Sequence, residues 1–165
     1  MFRGKATPSC AGVAFVHLRR DGKMEGAVRV TVWSRQRQKN GERQTFQTEA
    51  EGKLYVKGES IYISYRESDE AGLGSTLTTM RVQGQEMTLI RQGETTMRQV
   101  LVKGQEQRGS YNTPYGPFEL VTRTSKLVLN VNEQGGRIEA VYNLRLAGEK
   151  SRMELVVNVT PLVPA

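Results

Sequence analysis

The chain has 165 residues, 37% of them apolar and 25% charged. That length suits one domain with a modest core, and the balance excludes a disordered chain and offers no run near the roughly 18 apolar residues that a membrane-spanning helix needs. The formal charge of +7 is unevenly placed: residues 1–23 hold Arg3, Lys5, Arg19, Arg20 and Lys23 against Asp21 alone, so the body is only mildly basic and attracts phosphates weakly.

Residues 1–23 carry no strand alternation and no helical stripe. Their basic start and apolar Ala11–Leu18 run suggest a signal peptide, but His17 and Arg19-Arg20 stand where a small-residue cleavage site belongs. Arg19-Arg20 can be encoded by AGG-AGG, a ribosome-binding sequence, three codons ahead of Met24. The expectation is an unstructured extension over 1–23, with translation starting at Met24, and one barrel domain over 24–165. Cys10 and His17, the only residues of their types, both lie in that extension. The body therefore has no disulfide, no Cys/His zinc site and no Ser–His or Cys–His nucleophile pair. The cytoplasm is the expected compartment.

From Met24 onward, glycine turn signals recur every 8–12 residues, from Asn40-Gly41 through Lys57-Gly58, Gln83-Gly84 and Lys103-Gly104 to Gly135-Gly136 and Ala147-Gly148. Such spacing points to an all-β sandwich or barrel. The segments between them alternate. Val28, Val30 and Val32 interleave with Arg29, Thr31 and Trp33, and Ile61, Ile63 and Tyr65 with Ser60, Tyr62 and Ser64. Further strands are predicted at 43–51, 53–57, 76–82, 86–91, 95–102, 105–111, 117–122 and 126–131. Ile138 to Leu146 and Met153 to Val159 show the clearest period of two. No window carries a helical stripe. The expected fold is all-β: a closed antiparallel, mainly up-and-down barrel of about 8–10 strands, closure removing the sheet edges that invite aggregation. Tyr65, Tyr142, Met153, Ile138 and Leu144 are the interior candidates.

A resemblance agrees with this. Gly52-Lys53-Leu54-Tyr55-Val56-Lys57, Tyr62-Ile63-Ser64-Tyr65-Arg66-Glu67 and Gly72-Leu73 are followed by Thr88-Leu89-Ile90-Arg91-Gln92-Gly93. Then come Tyr111-Asn112-Thr113-Pro114-Tyr115-Gly116, Thr124-Ser125-Lys126-Leu127 and Gly135-Gly136-Arg137-Ile138. Together these segments resemble the YwiB-like family of uncharacterised bacterial β-barrel proteins over about residues 24–160. The resemblance implies a calycin-type (lipocalin-like) barrel and no established activity.

Four constellations carry chemistry. Tyr111, Thr113 and Tyr115 sit in a rigid Pro-Gly corner that would form either an aromatic lip at a barrel mouth or a plain structural turn. Tyr65, Glu67, Asp69 and Glu70 form an acidic strand end, able to host a metal or an acid/base pair, or simply a polar exit into a loop. Arg91 follows Leu89 and Ile90. Turned inward, it needs a carboxylate, for which Glu67 is the natural partner, or an anionic ligand; turned outward, it meets water. Arg35, Arg37, Lys39 and Arg43, near Trp33, would make an RNA-contacting edge or a guard against sheet-to-sheet association. Gly72-Leu73-Gly74 has no following helix and is not a phosphate-binding loop.

The reading is a non-enzymatic, cytoplasmic barrel that binds a small molecule through Tyr65, Glu67, Arg91, Tyr111, Thr113 and Tyr115. No cofactor, metal or membrane is involved. The alternatives are a basic module binding RNA or protein, and an enzyme using Glu67, Arg91 and Tyr115 without His or Cys.

Overall fold

Alternation fixes which side of each segment faces inward, and the glycine turns fix which segments pair. The result is a ring of ten antiparallel strands. In chain order they are β2 (Met24–Gln38), β3 (Arg43–Lys57), β4 (Ser60–Glu67), β5 (Thr76–Gln83), β6 (Glu86–Gln92), β7 (Thr96–Val102), β8 (Glu106–Thr113), β9 (Gly116–Asn132), β10 (Gly135–Leu146) and β11 (Glu149–Pro161). Each pairs with its neighbour in sequence, and β11 returns to pair with β2, so the sheet closes on itself. A two-residue strand, β1 (His17–Leu18), lies against Met24 and Glu25 on the β2 edge. The computed structural model describes residues 17–18, 24–67 and 76–162. The expectations for Asp69, Glu70 and Gly72–Gly74, and for residues 1–16 and 19–23, lie outside the described residues.

The ring is lopsided. β2, β3 and β9 to β11 run for 12 to 17 residues, whereas β4 to β8 run for seven or eight. β3 pairs with β4 only over Gly52–Lys57, leaving 43–51 paired to β2 alone. At the same end β7 and β8 share only three pairs, Thr96 to Arg98 against Asn112 to Ser110. The barrel wall is therefore long on one side and short on the other.

Two pairs of segments predicted as separate strands are continuous. The 43–51 and 53–57 stretches form one strand because Gly52 does not turn the chain; its missing Cβ admits the Ser64 carbonyl, which an added Cβ would meet at 2.3 Å. Likewise 117–122 and 126–131 join as β9, with a bulge at Ser125 between the Thr124–Tyr142 and Lys126–Val141 pairs. The extra residue reverses the inward parity, so Leu120, Thr122 and Thr124 face inward before it and Leu127, Leu129 and Val131 pack on the core after it.

The core is one contiguous cluster. Val28, Val30, Leu54, Ile63, Met87, Leu101, Ile138 and Val157 are fully buried, and Tyr65, Met80, Leu89, Tyr142 and Val159 nearly so. Each fully buried large aliphatic side chain contributes about 1.5–3 kcal/mol. Of the interior candidates, Tyr65, Tyr142 and Ile138 are buried, while Met153 and Leu144 pack against the cluster half-buried. Among the described residues, no helix is long and apolar enough to cross a membrane.

Candidate functional site

The interior changes character along the barrel axis. Toward the end marked by Glu67, Thr76 and the 93–95 and 114–115 turns, apolar rows give way to polar ones. Tyr65 opposes Thr78, Thr78 opposes Arg91, Arg91 opposes Met97, and Met97 opposes Tyr111. These five form one lateral row on the inner face of β4 to β8. Strand alternation puts Glu67 and Thr76 one row nearer the end, and Gln99 one row deeper beside Leu89.

Arg91 is inward and paired, as the alternation after Leu89 requires. Its Nε lies 3.5 Å from Glu67 Oε1, with the glutamate side chain 6% exposed and the arginine 33% exposed. Glu67 Oε1 also accepts a hydrogen bond from Thr78 Oγ1 at 2.8 Å. The carboxylate thus balances the guanidinium charge without closing a hydrogen bond to it, and the buried Arg91 Nε has no hydrogen-bond partner among the described residues. Thr124 Oγ1, on the inner face of β9 beside Tyr142, is likewise buried and unpartnered. One row deeper than Arg91, Gln99 Nε2 donates to Thr122 Oγ1, two residues before Thr124, at 3.0 Å.

Burial pushes the Tyr65 hydroxyl well above its ordinary range, and the neighbouring Glu67 carboxylate pushes it the same way; the hydroxyl lies within hydrogen-bonding reach of Thr78 and Glu67. Burial also raises Tyr142, against the opposing pull of Arg91 and a hydrogen bond with Gln99. Both phenols stay protonated in the folded chain above the ordinary value of 10.0, while the unfolded chain gives its protons up there. Unfolding therefore releases protons at high pH, and stability falls as pH rises past about 10, by up to about 1.4 kcal/mol per pH unit for each tyrosine. Thermal midpoints followed from pH 8 to 11 are expected to show this slope. Tyr142→Phe should remove part of it, and an unchanged slope would overturn the assignment.

The sequence-predicted residues divide into two groups. Tyr65, Glu67, Arg91 and half-buried Tyr111 share the polar inner rows. Thr113 and Tyr115 do not join them. Thr113 Oγ1 accepts from Tyr115 N and donates to the Gly116 carbonyl, both at 3.1 Å, so it locks the turn. Tyr115 stands at the tip, 94% exposed, and is no part of a buried constellation with Glu67 and Arg91. Gln99, Thr122 and Thr124 were missed by sequence reasoning, because a single Gln or Thr on a strand reads the same on either face. Among the described residues, no group of three or more His, Cys, Asp or Glu is placed to hold a metal ion.

The chain has known counterparts. The family model described as "Domain of unknown function (DUF1934)" matches residues 30–155, and the chain belongs to that family. It is 29% identical over 114 residues to the "Uncharacterized beta-barrel protein YwiB" of Bacillus subtilis, covering 69% of this chain and 79% of the relative. The crystal structure of that ywiB protein superposes with a TM-score of 0.70 at 25% identity, over 88% of this chain and 96% of the other. These relatives are uncharacterised.

Proposed function

We propose that the protein is a non-enzymatic binding barrel that holds a small, uncharged polar molecule at the polar end of its interior, over Arg91. One observation carries this reading: Arg91 Nε and Thr124 Oγ1 are buried polar atoms with no partner among the described residues. A buried polar group left unpaired costs about 1–3 kcal/mol, and native interiors satisfy nearly all of them. An incoming oxygen acceptor supplies what both lack. Glu67 already balances the guanidinium charge, so the complement is a carbonyl or hydroxyl compound and not a strong anion. Tyr65 and Tyr111 flank the row and offer ring faces to an apolar portion of the ligand. The apolar cluster below fills the deeper barrel, which limits the ligand to small size.

Native mass spectrometry of the full chain, purified gently from its own host, tests this. The expected result is a reproducible bound mass, lost on denaturation, and lost or at least tenfold depleted in both Arg91→Met and Thr124→Val. A clean apo mass from the wild type would overturn the reading, as would a bound mass that both variants retain in full.

A further inference from the structure

The four hairpin cations that stand close in sequence are the visible part of a larger array. Arg43 opposes Arg37, Arg37 opposes Arg152, Arg152 opposes Asn143, and Asn143 opposes Arg123. This lateral row crosses β3, β2, β11, β10 and β9 on the outer face of the long wall, and all five residues are exposed. Arg145 and Lys150, directly opposite each other, form the next row toward the hairpin ends. Arg37, Arg123, Arg145, Lys150 and Arg152 line a groove of about 500 Å³, where Glu106 is the single carboxylate among the described lining residues. An adjoining cleft of about 150 Å³ holds Arg35, Arg43 and Glu154 beside Arg37 and Arg152.

Several other cations of the outer face are matched. Arg29 meets Glu49, Lys53 meets Glu25, Arg108 meets Glu119, Lys126 meets Glu139, and Arg35 meets Glu154 at 2.6 Å. None of the groove's arginines makes such a pair among the described residues. Like charges directly opposite on a sheet destabilise it, so a row with Arg37 flanked on both sides by arginine is an unfavourable arrangement until an anion occupies it. Arginine also presents a planar fork that takes phosphate oxygens in pairs.

We infer that this groove binds the phosphodiester backbone of single-stranded nucleic acid. The row spans four interstrand spacings, about 19 Å, which suits one extended backbone of a few nucleotides. It is too short for duplex RNA, whose recognition spans about 16 base pairs and two minor grooves. Trp33 lies on the same face of β2 with the Arg35 guanidinium over its ring, 5.4 Å from the centroid. That pair places a planar stack beside the row, in the manner of strand-binding surfaces that combine backbone cations with stacking side chains. The inner ligand site plays no part in this.

The test is fluorescence anisotropy of the full chain with a labelled oligouridine 12-mer, the matching oligodeoxyuridine, a duplex of equal length, and polyglutamate as competitor, each across a salt series. Both single strands, or the RNA alone, should bind at about 50 mM salt and weaken linearly in log–log form. The triple variant Arg37→Gln/Arg123→Gln/Arg152→Gln should bind at least tenfold more weakly, with a slope shallower by about 2, since each single-strand phosphate contact contributes about 0.7. Lys57→Gln/Arg98→Gln, which neutralises exposed cations away from the groove, should bind as the wild type, and so should Arg91→Met. RNA over DNA would assign the ligand to RNA; equal binding would leave the shared backbone as the determinant. No binding of either single strand would overturn the inference. So would duplex binding as tight, polyglutamate competing equally per charge, or the Lys57/Arg98 variant losing as much as the groove variant.

Discussion

Glu67→Leu is expected to destabilise the barrel by about 2–3 kcal/mol in denaturant titrations. The carboxylate is 6% exposed and neutralises Arg91 from 3.5 Å, and removing one member of a buried pair strands the other. Fully buried pairs cost about 3–5 kcal/mol to break in this way. Arg91 is one-third exposed, so water recovers part of its solvation, and the lower figure follows. Thr78 loses its acceptor at the same time, which keeps the cost from falling further. The double variant Glu67→Leu/Arg91→Met should return to within about 1 kcal/mol of the wild type, because an apolar pair of similar bulk removes both the charge and its counter-charge. If the single losses simply add, Glu67 and Arg91 are not coupled.

Gly136→Ala should cost about 3 kcal/mol, and Gly58→Ala only about 1. Both glycines have positive φ, +140° and +62°, so both substitutions force a side chain into a backbone region that L-residues rarely occupy. They differ in what surrounds the new atom. Around Gly58 there is open space, whereas a Cβ on Gly136 would lie 2.1 Å from the Asn130 carbonyl oxygen and 2.9 Å from Val131 Cα. Gly136 opposes both Val131 and Val159, so relief requires shifting β9, where a buried core row ends. Equal midpoints for the two variants would show that the close approach relaxes freely.

The fold was legible because its two signals are local. A period of two and a glycine-bearing turn are properties of a few adjacent residues, and Ala147-Gly148, both at positive φ, closes a two-residue hairpin that the sequence predicts directly. Gly52 and Ser125 were not legible: one looks like a turn and is a close approach, the other looks like a gap and is a bulge. The inner site was half legible. Leu89 and Arg91 share a parity, so an inward Arg91 and its partner Glu67 were nameable, but their neighbours Gln99 and Thr124 depend on pairings across the barrel. The outer groove was the least legible. Arg37 and Arg43 meet across one hairpin, whereas Arg152 and Arg123 join them only through the β2–β11 and β9–β10 registers, which no local pattern specifies.

The seam between β2 and β11 has a consequence for how the chain is made. Every other ladder in the ring joins strands that leave the ribosome one after the other, so each hairpin can zip as it emerges. The closing ladder joins residues such as Arg35 and Glu154, 119 positions apart, and contacts so distant in sequence form slowly. Until the final strand is released, the nascent protein is an open nine-stranded ribbon with raw backbone along β2 and β10. Such edges are templates for pairing with other chains. β11 thus acts as a latch, and the hazardous interval in this protein's life is the one between the synthesis of β10 and the docking of β11.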